Sequence, residues 1–244
     1  MGDVARVGLV VPPERGRVPP DGAAMFPDVD FLVEGLGVSG MSEAGYAEAV
    51  ARLEAACASL ARRGAEAILL FGTSLSFFRG PAFNSELEHR MTQASGLPCK
   101  TLTSALIEAL TSVSARRLAV ATAYTGDVNA LFASYFSAEG FSIDAIDGLD
   151  IVSLSGAEHT GPERIAALAR QVRGQAPLAD AVVISCAGLS TNTVSPGLEA
   201  EFDLPVLSSA MIGVWAALRL TGRAGHATGF GRLYETDFPR EKRT

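Results

Sequence analysis

The chain has little of the material from which metal sites and disulfide frameworks are built. Its 244 residues include only three cysteines and three histidines. No two cysteines form a CxxC pair, and His89, His159 and His226 lack the spacing of zinc ligands. So few cysteines are typical of a reducing compartment. We therefore predict a cytoplasmic protein with no disulfide framework and no metal ion.

Long apolar runs and basic runs are also missing. No segment approaches the ~18 consecutive apolar residues that cross a bilayer. The first apolar stretch covers only residues 7–11, which predicts a buried strand rather than a signal peptide. The formal net charge is −7, so a phosphate backbone is an unfavourable partner. These absences predict a soluble globular protein that binds neither membranes nor nucleic acids, although backbone N–H groups and hydroxyls can still bind a small anion.

Several common catalytic motifs are absent as well. The sequence contains neither the GxxxxGK[ST] phosphate loop nor the GxSxG nucleophile elbow. Residues 35–40 match GxGxxG, but a dinucleotide fingerprint lies in the tight turn after a strand, and here roughly 25 residues of loop intervene. We interpret this segment instead as a lid or pocket wall that presents Val38 and Met41.

What the chain does contain is a repeat of itself. Three pairs of segments correspond in order: 7–11 with 118–122, 67–76 with 181–190, and 97–99 with 204–206. Apolar strands that alternate with helices predict parallel sheets buried on both faces. We therefore predict an α/β fold of two similar lobes, related by a pseudo-twofold axis, with parallel-sheet cores, helices on both faces and an active site in the cleft between them. The lobes are predicted at 1–115 and 116–244, with a terminal helix at about 209–220 able to pack onto the first lobe.

The pattern also predicts elements in the less regular parts of the chain. After the first strand we expect a Pro/Gly-rich loop over residues 12–45, followed by one helix from about Tyr46 to Arg63. In the second half we expect a strand near residues 150–154.

Cys186 is the first candidate for chemistry, because it follows an apolar strand, and ligands of parallel sheets bind beyond the carboxyl ends of the strands. One interpretation is a small core residue, as we expect for Cys57 and Cys99. The other is an acid/base group whose sulfur receives backbone N–H donors. Such donors favour the thiolate and would let the group exchange a proton with carbon at neutral pH.

Hydroxyl groups follow two other strands. Thr73 and Ser74 come after Gly72, where they could cap a helix, bind an anion, or do both. Tyr124 also ends a strand, where it could anchor the packing or supply a further donor. Strand ends of two facing lobes would bring these groups into one cleft with Cys186.

Taken as a set, these segments resemble the arylmalonate decarboxylases, a group within the aspartate/glutamate racemase superfamily of cofactor-independent enzymes. The likeness covers nearly the whole chain and is carried by Gly72-Thr73-Ser74-Leu75-Ser76-Phe77, Ala121-Thr122-Ala123-Tyr124 and Ser185-Cys186-Ala187-Gly188-Leu189. Racemases and maleate isomerases of the superfamily resemble one another in having a cysteine on both walls of the site. Here Gly72 stands at the first of these positions, as in the decarboxylases.

The resemblance implies a role for each residue. Cys186 would protonate an enediolate after carbon dioxide has left. Thr73, Ser74, Tyr124 and the N–H groups of Cys186 and Ala187 would hold the carboxylate that remains. The departing carboxylate would lie against an apolar wall formed by Pro12, Val38, Met41 and Leu154. Ala187 replaces a glycine that is usual in the family.

The function expected from this resemblance is cofactor-independent decarboxylation of 2-aryl(-2-alkyl)malonates, with a small carboxylate as the partner and a monomer or small homo-oligomer as the assembly. An alternative enzyme is a racemase or isomerase of small dicarboxylates or hydantoins, which would need a second acid/base group. A non-enzymatic alternative is a carboxylate sensor that keeps the cleft without turnover. A Cys186 thiol that titrates near neutral pH would favour an enzyme over the sensor.

Overall fold

The structure, a computed structural model, describes residues 4–38, 40 and 43–236. Two parallel sheets of four strands form its framework, and their strand orders are the same, β2-β1-β3-β4 and β6-β5-β7-β8. The strands are β1 Arg6–Val11, β2 Asp30–Gly35, β3 Ala67–Leu70, β4 Cys99–Thr101, β5 Arg117–Thr122, β6 Ser142–Gly148, β7 Ala181–Ser185 and β8 Val206–Ser208. The predicted α/β class, with one parallel sheet in each half of the chain, is confirmed.

Helices follow most of the strands and cover the sheets. They are α1 Pro20–Met25, α2 Glu43–Val50, α3 Leu53–Arg62, α4 Thr73–Phe77, α5 Pro81–Ser95, α6 Leu102–Ser112, α7 Gly126–Ala138, α8 Leu154–Glu158, α9 Pro162–Gln175, α10 Ser195–Phe202, α11 Ser209–Leu220 and α12 Arg232–Glu235. In the part of the chain that the structure describes, no helix has the length and apolar character needed to cross a membrane.

The central strands are apolar because both of their faces are covered. Every residue of β3 and of β7 is buried, and each strand pairs with the first strand of its own half, Leu9 beside Leu69 and Val120 beside Val183. Parallel strands end at the same edge of a sheet, so the residues after β1 and β3 lie together in the first sheet and those after β5 and β7 in the second. The two similar segments of the sequence thus form two sheets with equivalent strand orders.

The prediction of a loop over residues 12–45 is wrong, because α1 and β2 lie within it. Strand β2 is an edge strand that runs parallel to β1, from Arg6 beside Asp30 to Val11 beside Gly35. Its residues are mostly half-buried and include two acidic side chains, so they do not form the apolar run by which an inner strand is recognised.

Two other predicted elements differ from the structure. The single helix expected from Tyr46 to Arg63 is two helices, α2 and α3, separated by a turn at residues 51–52. The strand expected near 150–154 lies earlier, as the half-exposed edge strand β6. Residue 154 instead begins helix α8, whose N-cap Ser153 accepts a hydrogen bond from the backbone N–H of Gly156 at 3.1 Å.

Helix α11 follows β8 in the chain but packs against the first half. A Cβ atom added at Gly213 would lie 2.5 Å from Cε2 of Phe71 and 2.9 Å from Cδ1 of Leu102, so glycine is what permits this close approach. A second connection between the halves is made by Asp21 of α1. Its Oδ1 accepts hydrogen bonds from the backbone N–H and the hydroxyl of Thr191, at 2.9 and 3.0 Å.

Candidate active site

A cavity of about 310 Å³ opens at the carboxyl ends of β1, β3, β5 and β7, and residues of both halves line it. Eight of the residues singled out in the sequence are among its lining: Pro12, Gly72, Thr73, Ser74, Tyr124, Leu154, Cys186 and Ala187. Val38 is buried but is not among the lining residues, and its N–H donates to the carbonyl oxygen of Pro12 at 2.8 Å. Met41 lies outside the described residues.

Cys186 follows β7 directly and opens a tight turn. The N–H of Leu189 donates to the Cys186 carbonyl oxygen at 3.1 Å, which closes the turn. The Cys186 backbone has φ +150°, a conformation that residues with a Cβ rarely adopt. Such strain costs of order 1–3 kcal/mol and persists only where the surrounding structure enforces it, which is common at functional sites.

Burial raises the pKa of the Cys186 thiol to about 11, and the N–H groups of Gly188 and Leu189 oppose this effect without overcoming it. The backbone donors expected from the sequence are therefore present, but burial outweighs them, so the pKa of the thiol is raised rather than lowered.

The first turn of α4 supplies hydroxyl groups to the cavity. Ser74 accepts a hydrogen bond from the Tyr46 hydroxyl at 2.8 Å. Thr73 is only 2% exposed, and its hydroxyl has no hydrogen-bond partner among the residues that the structure describes. It is close enough to the hydroxyl of Tyr124 to lower the pKa of that group, but the geometry falls short of a hydrogen bond. A buried hydroxyl left unpaired is costly unless a ligand completes it.

Two tyrosines stand beside the thiol. Tyr124 is fully buried, and its hydroxyl lies 3.2 Å from the Ser185 hydroxyl. Burial raises the pKa of Tyr124 well above its usual value and that of Tyr46 to about 12, and a charge on Cys186 would raise the pKa of both further. Both phenols are therefore protonated and able to donate.

Tyr46 was not among the residues singled out in the sequence. A single tyrosine in the helical segment 43–50 follows no motif, so only its position in space reveals it. The same is true of Arg15, Arg17 and Glu158, which line the cavity from exposed positions.

Ser76, in the same predicted hydroxyl cluster, has a different environment from its neighbours. Its hydroxyl donates to the carbonyl oxygens of Gly72 and Thr73 and lies 2.6 Å from the Thr103 hydroxyl. Its hydrogen-bonding capacity is used within the protein, so we assign it to the support of α4 rather than to the cavity.

Gly72 faces the cavity from the end of β3, at the place that corresponds to Cys186 in the repeat. A Cβ atom added there would lie 3.1 Å from Cγ of Pro12 and 3.3 Å from Cβ of Leu75. These contacts are tight but involve side chains, so a small residue fits after a shift of a few tenths of an ångström. Among the described residues, no group of three His, Cys, Asp or Glu is arranged to hold a metal ion.

Comparison with known proteins places the chain in a described family. A family model described as arylmalonate decarboxylase matches residues 7–234. Arylmalonate decarboxylase of Bordetella bronchiseptica is 36% identical over 94% of this chain and 96% of its own length.

Solved structures agree with that match. A liganded double mutant of arylmalonate decarboxylase, with one glycine changed to cysteine and one cysteine to serine, superimposes with a TM-score of 0.93. It is 35% identical over 95% of this chain and 99% of its own. Maleate cis-trans isomerase of Nocardia farcinica, solved with a covalently bound succinylcysteine intermediate, has a TM-score of 0.89 at 25% identity, over 97% of this chain and all of its own.

Proposed function

Because the chain belongs to the arylmalonate decarboxylase family, a family of carboxy-lyases, we propose that it converts 2-aryl(-2-alkyl)malonates to 2-arylalkanoic acids without a cofactor. The bond between the central carbon and one carboxylate breaks, and carbon dioxide leaves. The electron pair of that bond remains as an enediolate on the other carboxylate. The proton of the Cys186 thiol then forms the new C–H bond, and solvent restores the thiol.

The observation that carries this proposal is the buried, unpaired hydroxyl of Thr73 in the same cavity as the Cys186 thiol. An enediolate gathers negative charge on two oxygens. Thr73, Ser74 and Tyr124 offer hydroxyl donors to it from a buried wall, and the N–H groups of Cys186 and Ala187 complete the set we propose. Donors fixed in a dry site stabilise such charge because they need no reorganisation when it develops.

Burial raises the pKa of the Cys186 thiol, which is the opposite of the neutral titration expected to distinguish an enzyme from a sensor, but a raised pKa suits a proton donor. A group that must deliver a proton has to hold it until the carbanion forms, and an enediolate carbon is a much stronger base than a thiolate. Backbone N–H groups at the sulfur then stabilise the thiolate that results. A neutral thiol also avoids placing a third negative charge beside a dianionic substrate.

The departing carboxylate needs a different surface. Pro12 and Leu154 line the cavity with apolar atoms, and the N–H of Val38 is hydrogen-bonded to the carbonyl oxygen of Pro12. We propose this wall as the place of the departing group. A carboxylate is poorly solvated there, and its loss as neutral carbon dioxide relieves the mismatch.

The proposal is tested by incubating the protein with methylphenylmalonate and measuring the release of carbon dioxide. We expect turnover by the wild type, and a loss of about 10²–10⁴-fold in Cys186→Ser, the range associated with a general acid. Cys99→Ser is the matched control, since Cys99 begins β4 and is not among the residues lining the cavity. Equal rates in the wild type and Cys186→Ser would refute the role of the thiol.

Maleate isomerisation is the second candidate, because a maleate isomerase shares the fold and forms its intermediate on a cysteine. It is disfavoured here by Gly72, which leaves the position that corresponds to Cys186 without an acid/base group. Incubation with maleate, followed by chromatographic detection of fumarate, separates the two enzymes, and incubation with aspartate tests for a racemase. A carboxylate sensor would turn over none of the three compounds.

A further inference from the structure

We propose, on the basis of the decarboxylase function above, that Arg15 and Arg17 select malonates whose aryl group carries a further negative charge at its far end. A para-carboxylate is the simplest such group. The two arginines would hold it at the exposed end of the cavity while the malonate reacts at the buried end.

Both arginines are available for such a contact. They line the cavity at exposed positions, whereas Cys186 and Thr73 line it at buried ones. Neither Arg15 nor Arg17 makes an ion pair or a hydrogen bond within residues 4–38, 40 and 43–236. Other arginines are paired, for example Arg90 with Glu54 at 2.6 Å. The net charge of the chain is −7, so two unpaired arginines at one opening give that opening a positive charge opposite in sign to the whole.

The segment that carries the arginines, residues 12–21, lies against β2 near its start and is hydrogen-bonded to the second half at its end; we call it the strap. At its start, a Cβ atom at Gly35 would overlap the carbonyl oxygens of Pro13 and Glu14, so the strap lies directly on β2. At its end, Asp21 is hydrogen-bonded to Thr191 across the two halves.

The middle of the strap is close to β2 as well. A Cβ atom at Gly16, between the two arginines, would lie 2.8 Å from Cγ1 of Val33. A strap fixed in this way limits where its side chains can reach. A planar guanidinium on such a support is suited to bind a carboxylate through two hydrogen bonds.

Glu158 is the one carboxylate among the residues that line the cavity. It ends helix α8, and no ion pair joins it to Arg15 or Arg17 within the part of the chain described. The arginines are therefore free to bind an anion, and Glu158 would repel one that lay on its own side of the opening. The expected position of the charged substituent is thus the side of the strap.

The experiment compares two methylphenylmalonates, one with a para-carboxylate and the other with a para-carboxamide of nearly the same shape. We expect wild-type kcat/KM to favour the carboxylate by about 10-fold or more at low ionic strength, as one well-placed charge-assisted pair would give. The preference should fall toward unity between about 0.01 M and 1 M salt, as the screening length drops from ~30 Å to ~3 Å.

Substitutions in the strap test whether its arginines cause the preference for the para-carboxylate. In Arg15→Gln, Arg17→Gln and the double variant, the ratio of the two kcat/KM values should fall stepwise to about one. Because each variant is measured on both compounds, a general loss of activity cancels. Arg62→Gln, which removes an exposed arginine of α3, is the matched control and should keep the wild-type ratio.

Failure of this inference is distinct from failure of the decarboxylase function. A wild-type ratio near or below one, with methylphenylmalonate still turned over, would overturn the selectivity alone. If no malonate is turned over, calorimetric binding of the corresponding para-carboxylate and para-carboxamide 2-arylpropionates decides the matter. Equal affinities in the wild type, or a difference that survives in the double variant, would reject the role of the arginines.

Discussion

At the scale of single residues, Cys186 and Thr73 differ from their neighbours in the pKa of one side chain and the hydrogen bonding of the other. Burial raises the pKa of Cys186 although its N–H donors favour ionisation, and the hydroxyl of Thr73 has no hydrogen-bond partner among the described residues. The unpaired hydroxyl of Thr73 is costly by itself, whereas the neutral thiol is the form that burial favours; both groups become useful when a substrate carboxylate is present. Perturbed groups of this kind are concentrated at functional sites.

The first prediction concerns pH. Because the thiol must be protonated to act, and burial raises its pKa to about 11, kcat/KM should be level through neutral pH and fall as pH rises toward about 11. Iodoacetamide alkylation of Cys186, taken as the difference between wild type and Cys186→Ser, should rise over the same range. A midpoint near the ordinary value of 9.0 for both would contradict the structure.

The same shift has a consequence for stability, with a definite sign. The unfolded thiol ionises near its ordinary pKa of 9.0, whereas the folded thiol ionises near 11. The contribution of Cys186 to stability is therefore complete below pH 9 and is lost as pH rises from there toward 11.

The second prediction separates two hydroxyls of α4. Thr73→Ala should lower kcat/KM by about 10²–10³-fold, since one oxyanion donor is lost. It should hardly change the melting temperature, because no partner among the described residues is left unsatisfied.

Ser76→Ala is the comparison. Its hydroxyl is bonded to Gly72 and Thr73 carbonyls and lies beside Thr103, so we expect a loss of about 1–3 kcal/mol in the free energy of unfolding. Thermal denaturation and steady-state kinetics of both variants provide the measurement. A Thr73→Ala variant that unfolds as easily as Ser76→Ala would argue against a free hydroxyl in the cavity.

At the scale of elements, the strap depends on the absence of a side chain beneath it. Gly35→Ala would place a methyl group against the backbone of Pro13 and Glu14, which cannot rotate away. We expect the strap to lift, a loss of about 1–3 kcal/mol in stability and a raised KM. Gly174→Ala, in the last turn of α9 with open space around it, is the control and should be neutral or slightly stabilising.

The elements also show what the sequence could and could not predict. Inner strands β3 and β7 were predicted correctly because burial on both faces leaves a continuous apolar run. Edge strands β2 and β6 were not, because one exposed side admits polar residues and removes that signal.

Some residues of the candidate site could likewise be predicted from the sequence, and others could not. Residues that directly follow an inner strand, such as Thr73 and Cys186, could be proposed from the sequence, since position in the chain fixes their position at the sheet edge. Tyr46, Arg15 and Arg17 reach the cavity from a helix and from the strap. Tertiary packing brings these residues to the cavity, and no local sequence pattern predicts it.

At the scale of the whole molecule, the two sheets repeat the same strand order, and Gly72 and Cys186 occupy corresponding ends. The third prediction follows from this relation. Gly72→Cys should place a second thiol on the other wall and add slow racemisation of the product acid, seen as exchange of its α-hydrogen for deuterium. A Cβ atom 3.1 Å from Pro12 Cγ needs only a small adjustment.

Gly72→Ala controls for the added bulk, because it fills the same space without an acid/base group. Exchange by Gly72→Cys that does not exceed exchange by Gly72→Ala would show that the two strand ends do not share one substrate. The wild type, with one thiol, should protonate a single face and give one enantiomer in excess.

The backbone of Cys186 has a further consequence, one for how this position tolerates change. At φ +150° every residue with a Cβ bears the same steric penalty, so cysteine, serine and alanine are equally strained there. Glycine alone escapes it. In a selection for heat resistance that does not require turnover, glycine should therefore be more stabilising than alanine at position 186, the reverse of their usual order. Such a selection would increase stability by removing the thiol.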